Sequence, residues 1–307
     1  MPYELKNRLV IGLASSALFN LEASDSVFKQ KGEEAYRKFQ HKHQKDPLEK
    51  GVAFPFIKRL LSLNELNPED PPVEVVLLSR NDPDTGMRVM HSIEHYGLKM
   101  TRALFLQGKA PHDYIPALDI SLFLSANEKD VKEAIDAGYP AGQVLDSTII
   151  DEDADKELRI AFDFDGVIAD DASESVYQSE DIKAFHSHEK ENASTPHNEG
   201  PLLAFLKKVS HIQQLEVARG EADENYKPIL RISIVTARSA PSHERVINTM
   251  RSWGIMVNEA FFLGGIEKSK VLEILKPHIF FDDQKLHLEG ASEILPSVHI
   301  PFGITNI

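Results

Sequence analysis

The chain has 307 residues, with 48 acidic and 34 basic side chains and a net charge of −14. Its length is roughly that of two ordinary domains. The acidic excess argues against nucleic-acid binding, which needs a basic face, and against a polybasic membrane anchor. The sequence contains no cysteine, which excludes disulfides, thiolate catalysis and cysteine-held metals and is in keeping with a reducing, cytoplasmic setting.

The first apolar run, Leu9–Phe19, loosely resembles the core of a signal peptide. However, Gly12, Ser15 and Ser16 interrupt it, and Glu4 stands where a signal peptide is basic. We interpret the run as the start of a buried strand. No segment approaches the ~18 consecutive apolar residues of a membrane span, so we expect no membrane partner.

Short runs of Val, Ile, Leu and Phe alternate with amphipathic helical stretches along the chain. This alternation is typical of βαβ units around a parallel sheet that is covered on both faces. The sequence therefore predicts an α/β fold with Rossmann-like units. The predicted strands are Leu9–Ala14, Val73–Leu78, Ala103–Leu106, Ile120–Leu124, Gln143–Leu145, Leu158–Phe162, Ile229–Val235, Ala260–Leu263, His278–Phe281 and Val298–Ile300.

An acidic polar stretch, Ile149–Glu157, predicts the boundary between two domains, 1–150 and 151–307. In the second domain, the polar composition that follows the first strand predicts a small cap-like insertion at about 172–226. The elements expected there are an irregular segment, a helix and a second irregular segment, at Ser179–Gly200, Pro201–Gln214 and Gly220–Pro228.

The two halves of the chain align with each other without gaps over long stretches. Residues 79–128 lie over 236–285 with a constant offset of 157, and residues 10–28 lie over 159–177 with an offset of 149. Shared βαβ periodicity alone would produce some matches. Because the longer alignment crosses a strand, a helix and two more strands, we interpret it as an internal duplication of one unit.

The strongest local motif is the acidic loop after the first strand of the second half. An apolar strand leads into the sequence DFDG, which places acids at Asp163 and Asp165. The carboxyl end of a parallel strand is where α/β sheets bind ligands, and two clustered carboxylates suit a hard cation such as Mg²⁺. An acidic turn that caps a helix would have similar residues, so the motif alone is weak evidence.

Three further segments place matching groups at strand ends or helix starts. A strand ends in Thr236, with Arg238 two residues on. A helix begins near Lys268, although Lys270 competes for the same role, and a later strand ends in the acidic pair Asp282–Asp283. With the first acidic loop, these groups supply a nucleophile, a proton donor, a cation and donors to phosphate oxygens. Phosphoryl transfer requires this combination.

The order of these motifs in the second half resembles that of the haloacid-dehalogenase-like phosphohydrolases. A closer resemblance, over nearly the whole chain, is to the cytosolic type-I 5′-nucleotidase family. The runs that carry it are ASSALFNLE at Ala14–Glu22, GVAFPFIKRLL at Gly51–Leu61, LLSRNDPDTGMRV at Leu77–Val89, LFLSANEKDVKEAIDAG at Leu122–Gly138 and PHIFFDDQ at Pro277–Gln284.

The resemblance implies a Mg²⁺-dependent 5′-nucleotidase, which hydrolyses nucleoside 5′-monophosphates to nucleoside and phosphate. It assigns nucleophilic attack to Asp163, through an aspartyl-phosphate, and general acid–base catalysis to Asp165. Thr236 and Lys268 would hold the phosphate oxygens. The metal would bind the Asp163 carboxylate, the Asp165 backbone carbonyl and one acid of Asp282–Asp283, of which Asp283 is slightly favoured.

The cap-like insertion is expected to recognise the leaving nucleoside. Phe185 or His186 is expected to pack on the base or ribose, and Arg238 to contact the phosphate or the nucleoside. Alternatives remain open for each. A polar loop explains His186, His188 and His197 better than a metal site does, and a surface ion pair would explain Arg238.

The first half has lost the acidic groups of the predicted site. The aligned positions hold Ala14 and Ser16 in the acidic loop, Pro111 in place of the lysine, and Ser125–Ala126 in place of the second acidic pair, while Ser79 retains the hydroxyl. We therefore expect a degenerate, catalytically inactive first half with a structural role or a role in a homo-oligomer. Two alternatives are that it adds groups to the active cleft or that it binds a nucleotide effector.

Two other functions are compatible with the sequence. The same motifs and fold serve phosphatases of other small phosphate esters, because the cap and not the motifs sets the substrate. A non-catalytic nucleotide sensor is a third hypothesis, and the complete set of motifs in the second half argues against it.

Overall fold

The chain divides into two compact units, Met1–Val144 and Leu145–Ile307. The division lies just before the predicted boundary at Ile149–Glu157. The residues that the computed structural model describes are 3–147, 151–152, 154–172 and 182–306. Among them, every helix is too short or too polar to cross a membrane.

The first unit contains five parallel strands with helices between them. The strands β1 to β5 are Leu9–Leu13, Val73–Ser79, Arg102–Phe105, Leu122–Ser125 and Ala141–Val144. Their order is β3-β2-β1-β4-β5, and each adjacent pair is parallel. The helices are Ser15–Leu18, Glu22–Lys42, Phe54–Ser62, Met87–His95 and Glu128–Asp136. The central strands are buried along their whole length, as their continuous apolar runs predict.

The second unit has the same architecture. Its strands β6 to β10 are Leu158–Phe162, Leu230–Thr236, Glu259–Phe262, Ile279–Asp282 and Ser297–His299. Their order is β8-β7-β6-β9-β10, again with parallel pairs. The helices described in this unit are Ile182–Glu191, Leu203–Ala222, His243–Ser252, Lys268–Leu275 and Lys285–Ser292.

The predicted α/β fold with parallel strands is confirmed, and all ten predicted strands are present with ends within two residues of the predicted ones. The helices between β6 and β7 were predicted less well. Helix Ile182–Glu191 lies in a segment that we expected to be irregular, and helix Leu203–Ala222 continues beyond Gln214. The longer helix is extended because Glu216 is buried and accepts hydrogen bonds from the backbone of Ile229 and Leu230, both at 2.9 Å.

Corresponding strands of the two units match in position as well as in order. β6 begins 149 residues after β1, and β7, β8 and β9 begin 157 residues after β2, β3 and β4. Equivalent backbone hydrogen bonds follow the same offsets: Ala14 donates to Leu124 and Asp163 donates to Phe281, each at 2.8 Å. These matches support the interpretation of the two halves as an internal duplication.

The segment after β6 was predicted to be an insertion, which would be present in the second unit only. The first unit has an equivalent segment after β1. A single antiparallel bridge joins Phe19 to Lys50 in the first unit, and another joins Ala169 to Glu199 in the second. The bridged stretch contains a helix and is followed by another helix in both units. The cap-like segment is therefore an element that both units possess.

The acidic loop after β6 is one residue longer than its counterpart after β1. The carbonyl groups of Leu18 and Ile168 accept equivalent hydrogen bonds from the glycines that follow the two bridges. Leu18 lies four residues after Ala14, whereas Ile168 lies five residues after Asp163. The longer loop contains Gly166 at φ +69°, a left-handed conformation that glycine adopts without strain.

Aromatic packing fixes the two strands that carry the predicted acids. Phe162 of β6 stacks on Phe281 of β9 with ring centroids 5.1 Å apart, and Phe205 from the following helix packs on both. All three rings are fully buried. Because dense packing tolerates little displacement, these rings hold the ends of β6 and β9 in register.

Gly200 provides a test of the close approach at the second bridge. A Cβ atom at Gly200 would overlap the carbonyl group of Ala169, whereas a Cβ atom at Gly220 would have no neighbour within 4 Å. We expect Gly200→Ala to lower the free energy of unfolding by about 1–3 kcal/mol, as overpacking does. Gly220→Ala, the matched control in a helix, should be neutral or stabilising. Urea unfolding of both variants measures the difference, and equal stabilities would contradict the close approach.

Candidate active site

The predicted groups of the second unit meet at the carboxyl ends of three parallel strands. Asp163 directly follows β6, Thr236 is the last residue of β7, and Asp282 is the last residue of β9. Since β6 lies between β7 and β9 in the sheet, the three residues end neighbouring strands. All three side chains are buried.

Lys268 joins the two acidic strand ends. It is the first residue of helix Lys268–Leu275, and its Nζ lies 2.6 Å from Asp163 Oδ2 and 2.7 Å from Asp282 Oδ2. The lysine and both acids are buried. Lys270, the competing lysine, is exposed and pairs with Glu267 at 3.3 Å. The structure therefore brings Lys268, and not Lys270, to the acids.

Burial and mutual charge shift the pKa values of this group. Burial raises the pKa of Asp163 to about 7, with Asp282 and Asp165 acting in the same direction and Lys268 opposing them. Burial alone would lower the pKa of Lys268, but the two acids raise it above its usual range. Burial would likewise raise the pKa of Asp282, but Lys268 and His287 lower it. Lys268 is therefore held as an ammonium ion.

The residues that could hold a metal surround the same point. Among the described residues, the one group of three metal-ligating side chains whose donor atoms lie within 4.8 Å of one another is Asp163, Asp282 and His287. Asp283 is not part of this group, but it lies close to the acidic loop. A Cβ atom at Gly166 would lie 2.5 Å from the carboxylate of Asp283. Carboxylate oxygens are the ligands that a hard divalent cation prefers, so these residues fit one.

His287 was missed from the sequence. It lies on helix Lys285–Ser292, and its Nδ1 is 3.3 Å from Asp282 Oδ1. The same carboxylate oxygen accepts a hydrogen bond from the backbone of Gln284 at 2.8 Å. A histidine five residues after the acid, on the helix that follows the strand, is a signal that the sequence does contain.

Thr236 and Arg238 form a tight turn at the end of β7. The backbone N–H of Arg238 donates to Thr236 Oγ1 at 3.3 Å. The Arg238 side chain turns back toward the acidic loop, where its Nε lies 2.6 Å from Asp165 Oδ2 and its Nη2 lies 2.6 Å from Asp165 Oδ1. Such a two-point contact between a guanidinium and a carboxylate is strong and directional.

Arg238 does not form the surface ion pair that was the alternative prediction for it. The side chain is buried, with its guanidinium carbon 5.5 Å from the centre of the Phe164 ring and 5.4 Å from that of Phe185. Although burial alone would lower its pKa, contacts with Asp165 and Glu189 raise it. Arg238 is thus an internal cation between two aromatic rings and two acids.

Phe185 and His186, the residues predicted to contact a nucleoside, lie on helix Ile182–Glu191. Phe185 is buried against Arg238, and its ring centre is 5.7 Å from that of His186. His188 is on the same helix, so the predicted polar loop is wrong for His186 and His188, whereas His197 lies in the irregular segment that follows the helix. His197 packs edge-on against the Phe164 ring at 5.3 Å, and the three histidines form no metal-ligating group among the described residues.

Glu189 is the main residue of this region that the sequence did not reveal. It is buried, with Arg238 Nη1 on one carboxylate oxygen and Arg245 Nη1 on the other at 2.8 Å. His197 Nε2 lies 3.4 Å from it. Burial alone would raise the pKa of Glu189, but contacts with His197 and Arg238 hold this pKa below its usual range. The sequence predicts an irregular segment around Glu189, and a glutamate in such a segment is expected to be exposed to solvent.

The first unit preserves the turns of the site but not its acids. Ser79 Oγ accepts from the backbone of Asn81 at 3.2 Å, and Ser125 Oγ accepts from that of Asn127 at 3.1 Å. These are the positions of Thr236 and Asp282 under the 157-residue offset. At these two strand ends, the first unit therefore has the same backbone turn as the second but carries serine side chains.

The predicted pairing of Asp163 with Ala14 agrees with their equivalent hydrogen bonds to the neighbouring strand. Beyond these residues the acidic loop is longer, with four residues, 164–167, where the first unit has three, 15–17. The pairing of Asp165 with Ser16, which falls inside this stretch, stays a prediction.

The sequence of the chain is similar to those of known proteins. The family model described as 5′-nucleotidase matches residues 1–307. Human cytosolic 5′-nucleotidase 1B is 35% identical over 299 residues, which are 95% of this chain and 48% of the human protein. The chain thus spans about half the length of that curated relative. No solved structure matches the chain. On the family match and this identity, the chain belongs to the 5′-nucleotidase family.

Proposed function

We propose that this chain is a Mg²⁺-dependent phosphohydrolase that converts nucleoside 5′-monophosphates to nucleoside and phosphate. The observation that carries the proposal is the buried ammonium of Lys268, in contact with both Asp163 and Asp282 at the ends of neighbouring strands. Membership of the 5′-nucleotidase family supports the nucleotide as the substrate. The cytosol, which the name of the human relative specifies, is the compartment we propose.

In the first half-reaction, Asp163 is the proposed nucleophile. One of its carboxylate oxygens attacks phosphorus, the bond between phosphorus and the 5′ oxygen breaks, and an aspartyl-phosphate forms. Asp165 donates a proton to the leaving 5′ oxygen, so the nucleoside departs as a neutral alcohol. Lys268 and Thr236 hold the phosphate oxygens, and the ammonium stabilises the charge on them.

In the second half-reaction, water attacks the phosphorus of the aspartyl-phosphate. Asp165, now a carboxylate, takes the proton from that water, and the bond between Asp163 and phosphorus breaks. Phosphate leaves and both acids return to their starting states. The same side chain thus serves as acid and then as base, which requires that its position be the same in both steps.

Asp163, Asp282 and Asp283, with the backbone carbonyl of Asp165, are the groups we propose to hold Mg²⁺. When bound, the ion neutralises charge on the phosphate oxygens. The acids outnumber Lys268, so the group keeps a net negative charge that favours a cation. His287 is a less suitable ligand for Mg²⁺, which prefers oxygen, and we assign it to the orientation of Asp282.

Substrate recognition is proposed for Phe185 and His186, with Arg238 acting on the nucleotide through its contact with Asp165. The first unit, which lacks the acids, is proposed to be non-catalytic. A role for the first unit in oligomer formation, or in binding a nucleotide effector, is a further proposal.

Phosphate release from a panel of substrates tests the proposed function. The panel contains the ribo- and deoxyribonucleoside 5′-monophosphates and several sugar phosphates, each assayed with Mg²⁺ and with EDTA. We expect release from nucleoside monophosphates that EDTA abolishes and added Mg²⁺ restores. Release from sugar phosphates alone would retain the chemistry and reject the substrate class. No release from any member, with or without added ADP or ATP, would reject the enzyme.

The substitution Asp163→Asn tests the nucleophile. An amide cannot attack phosphorus, so we expect phosphate release to fall by roughly 10³-fold or more. The fold should survive, because the amide keeps the size of the side chain. Asp113→Asn, at an exposed position of the first unit, is the matched control. Circular dichroism checks folding, and an Asp163→Asn protein that keeps most of its activity would remove Asp163 from this role.

The substitution Lys268→Met tests the electrostatic role of the ammonium. Without it, two buried carboxylates face each other with no lysine between them, and we expect the free energy of unfolding to fall by about 3–5 kcal/mol. Activity should be lost as well. Lys270→Met, two residues away and exposed, should change stability by less than about 0.5 kcal/mol. Urea unfolding compares the two, and similar stabilities would contradict the assignment.

A further inference from the structure

A chain of four charged groups runs inward from the acidic loop of the second unit. Asp165 is bound by Arg238, Arg238 contacts Glu189, and Glu189 also binds Arg245. Two carboxylates and two guanidiniums balance in charge. The two arginines and Glu189 are buried, while Asp165 is partly exposed at the outer end. Of the two acids in this group of four, Glu189 is therefore the one that is buried.

A buried ionic chain of this kind is not explained by stability alone. Removing charges from water is costly, and buried ion pairs often stabilise a protein less than apolar side chains of similar volume would. Such an ionic chain does fix the orientation of its side chains, because the guanidinium is planar and its N–H donors point in fixed directions. The ionic chain is therefore better explained by its effect on Asp165, whose carboxylate it holds in a fixed position.

The first unit provides an internal comparison for this region. Arg245 Nε donates to the carbonyl of Thr195 at 2.9 Å, and Arg88 Nε donates to that of Asp46 at 2.9 Å. The backbone of His197 donates to Thr249 Oγ1 at 3.1 Å, as that of Leu48 donates to Ser92 Oγ at 2.9 Å. These pairs follow the offsets of 149 and 157, so the two segments share one scaffold.

On that shared scaffold, the ionic chain is present in the second unit alone. The position of Glu189 is occupied by Gln40 in the first unit, and that of Arg238 is occupied by Asn81. Gln40 is buried like its counterpart. An uncharged amide therefore fits this position without a change of fold. The two charged residues occur together in the unit that has the acidic loop and are absent together from the unit that lacks it.

We propose that Glu189 is a positioning residue of the active site, which acts through Arg238 to hold the carboxylate of Asp165. The inference rests on the proposed function, since it assigns a role for the acid–base step. Glu189 binds one terminal nitrogen of the guanidinium, and this contact sets the plane in which the other two nitrogens meet Asp165. Each carboxylate oxygen has a second lone pair, which remains for the proton that Asp165 carries.

The test compares two esters of one nucleoside. The first is the 5′-monophosphate that the wild type hydrolyses fastest, and the second is its analogue with sulfur as the bridging 5′ atom. A thiolate leaves without the proton that an alkoxide needs, so the sulfur ester depends less on Asp165. The constant kcat/KM includes only steps up to release of the nucleoside, so it reports on this proton transfer.

For Glu189→Gln we expect kcat/KM to fall by roughly 10- to 100-fold for the oxygen ester, because a displaced general acid loses part of the roughly 10²- to 10⁴-fold that such a group contributes. The fall should be much smaller for the sulfur ester. Glu259→Gln is the matched control, because Glu259 pairs with Arg231 in the same unit and contacts none of the site residues named above. It should leave both constants unchanged. Equal losses for both esters, or no loss, would overturn the inference.

Two further variants test whether Glu189 acts on Asp165 through Arg238 or directly. Arg238→Gln alone and the double variant Glu189→Gln with Arg238→Gln should have the same kcat/KM, because Glu189 has nothing left to position. A double variant that is slower by the full factor of Glu189→Gln would overturn the inference. Absence of any turnover by the wild type would overturn the nucleotidase assignment itself, an outcome distinct from the two above.

Discussion

The buried ammonium of Lys268 is the contact on which the rest of the site depends. Parallel strands place their carboxyl ends at one edge, and here two of those ends carry acids that burial alone would not tolerate as anions. Lys268, at the start of the next helix, lies within 2.7 Å of both. The acids and the lysine are thus mutually dependent, since each would be costly to bury without the other.

Two charged clusters with different balances lie within the second unit. Asp163, Asp282 and Lys268 carry more negative than positive charge, which suits a cation and an arriving phosphate. The chain from Asp165 through Arg238 and Glu189 to Arg245 is neutral as a whole when Asp165 is a carboxylate. The first cluster can accept a charged partner, whereas the second is balanced by its own members and serves, in the proposed mechanism, to orient Asp165 for proton transfer.

The strands and the residues at their ends could be predicted because both have strong local signals. Val, Ile, Leu and Phe runs mark buried parallel strands, and an acid directly after such a run lies at the edge where ligands bind. Glu189 could not be predicted in this way. Glu189 binds Arg238 and Arg245, which lie 49 and 56 residues away along the sequence. No local pattern around a glutamate distinguishes a buried one from an exposed one.

The extra residue in the acidic loop has a consequence for how the two units differ. The loop after β1 is one residue shorter than the loop after β6, where Gly166 adopts a left-handed conformation beside Asp283. Exchanging single side chains in the first unit would restore an acid next to β1 but not the path of the backbone beyond it. The difference between the two halves is therefore a change of chain length as well as of chemistry, and point substitution alone cannot reverse it.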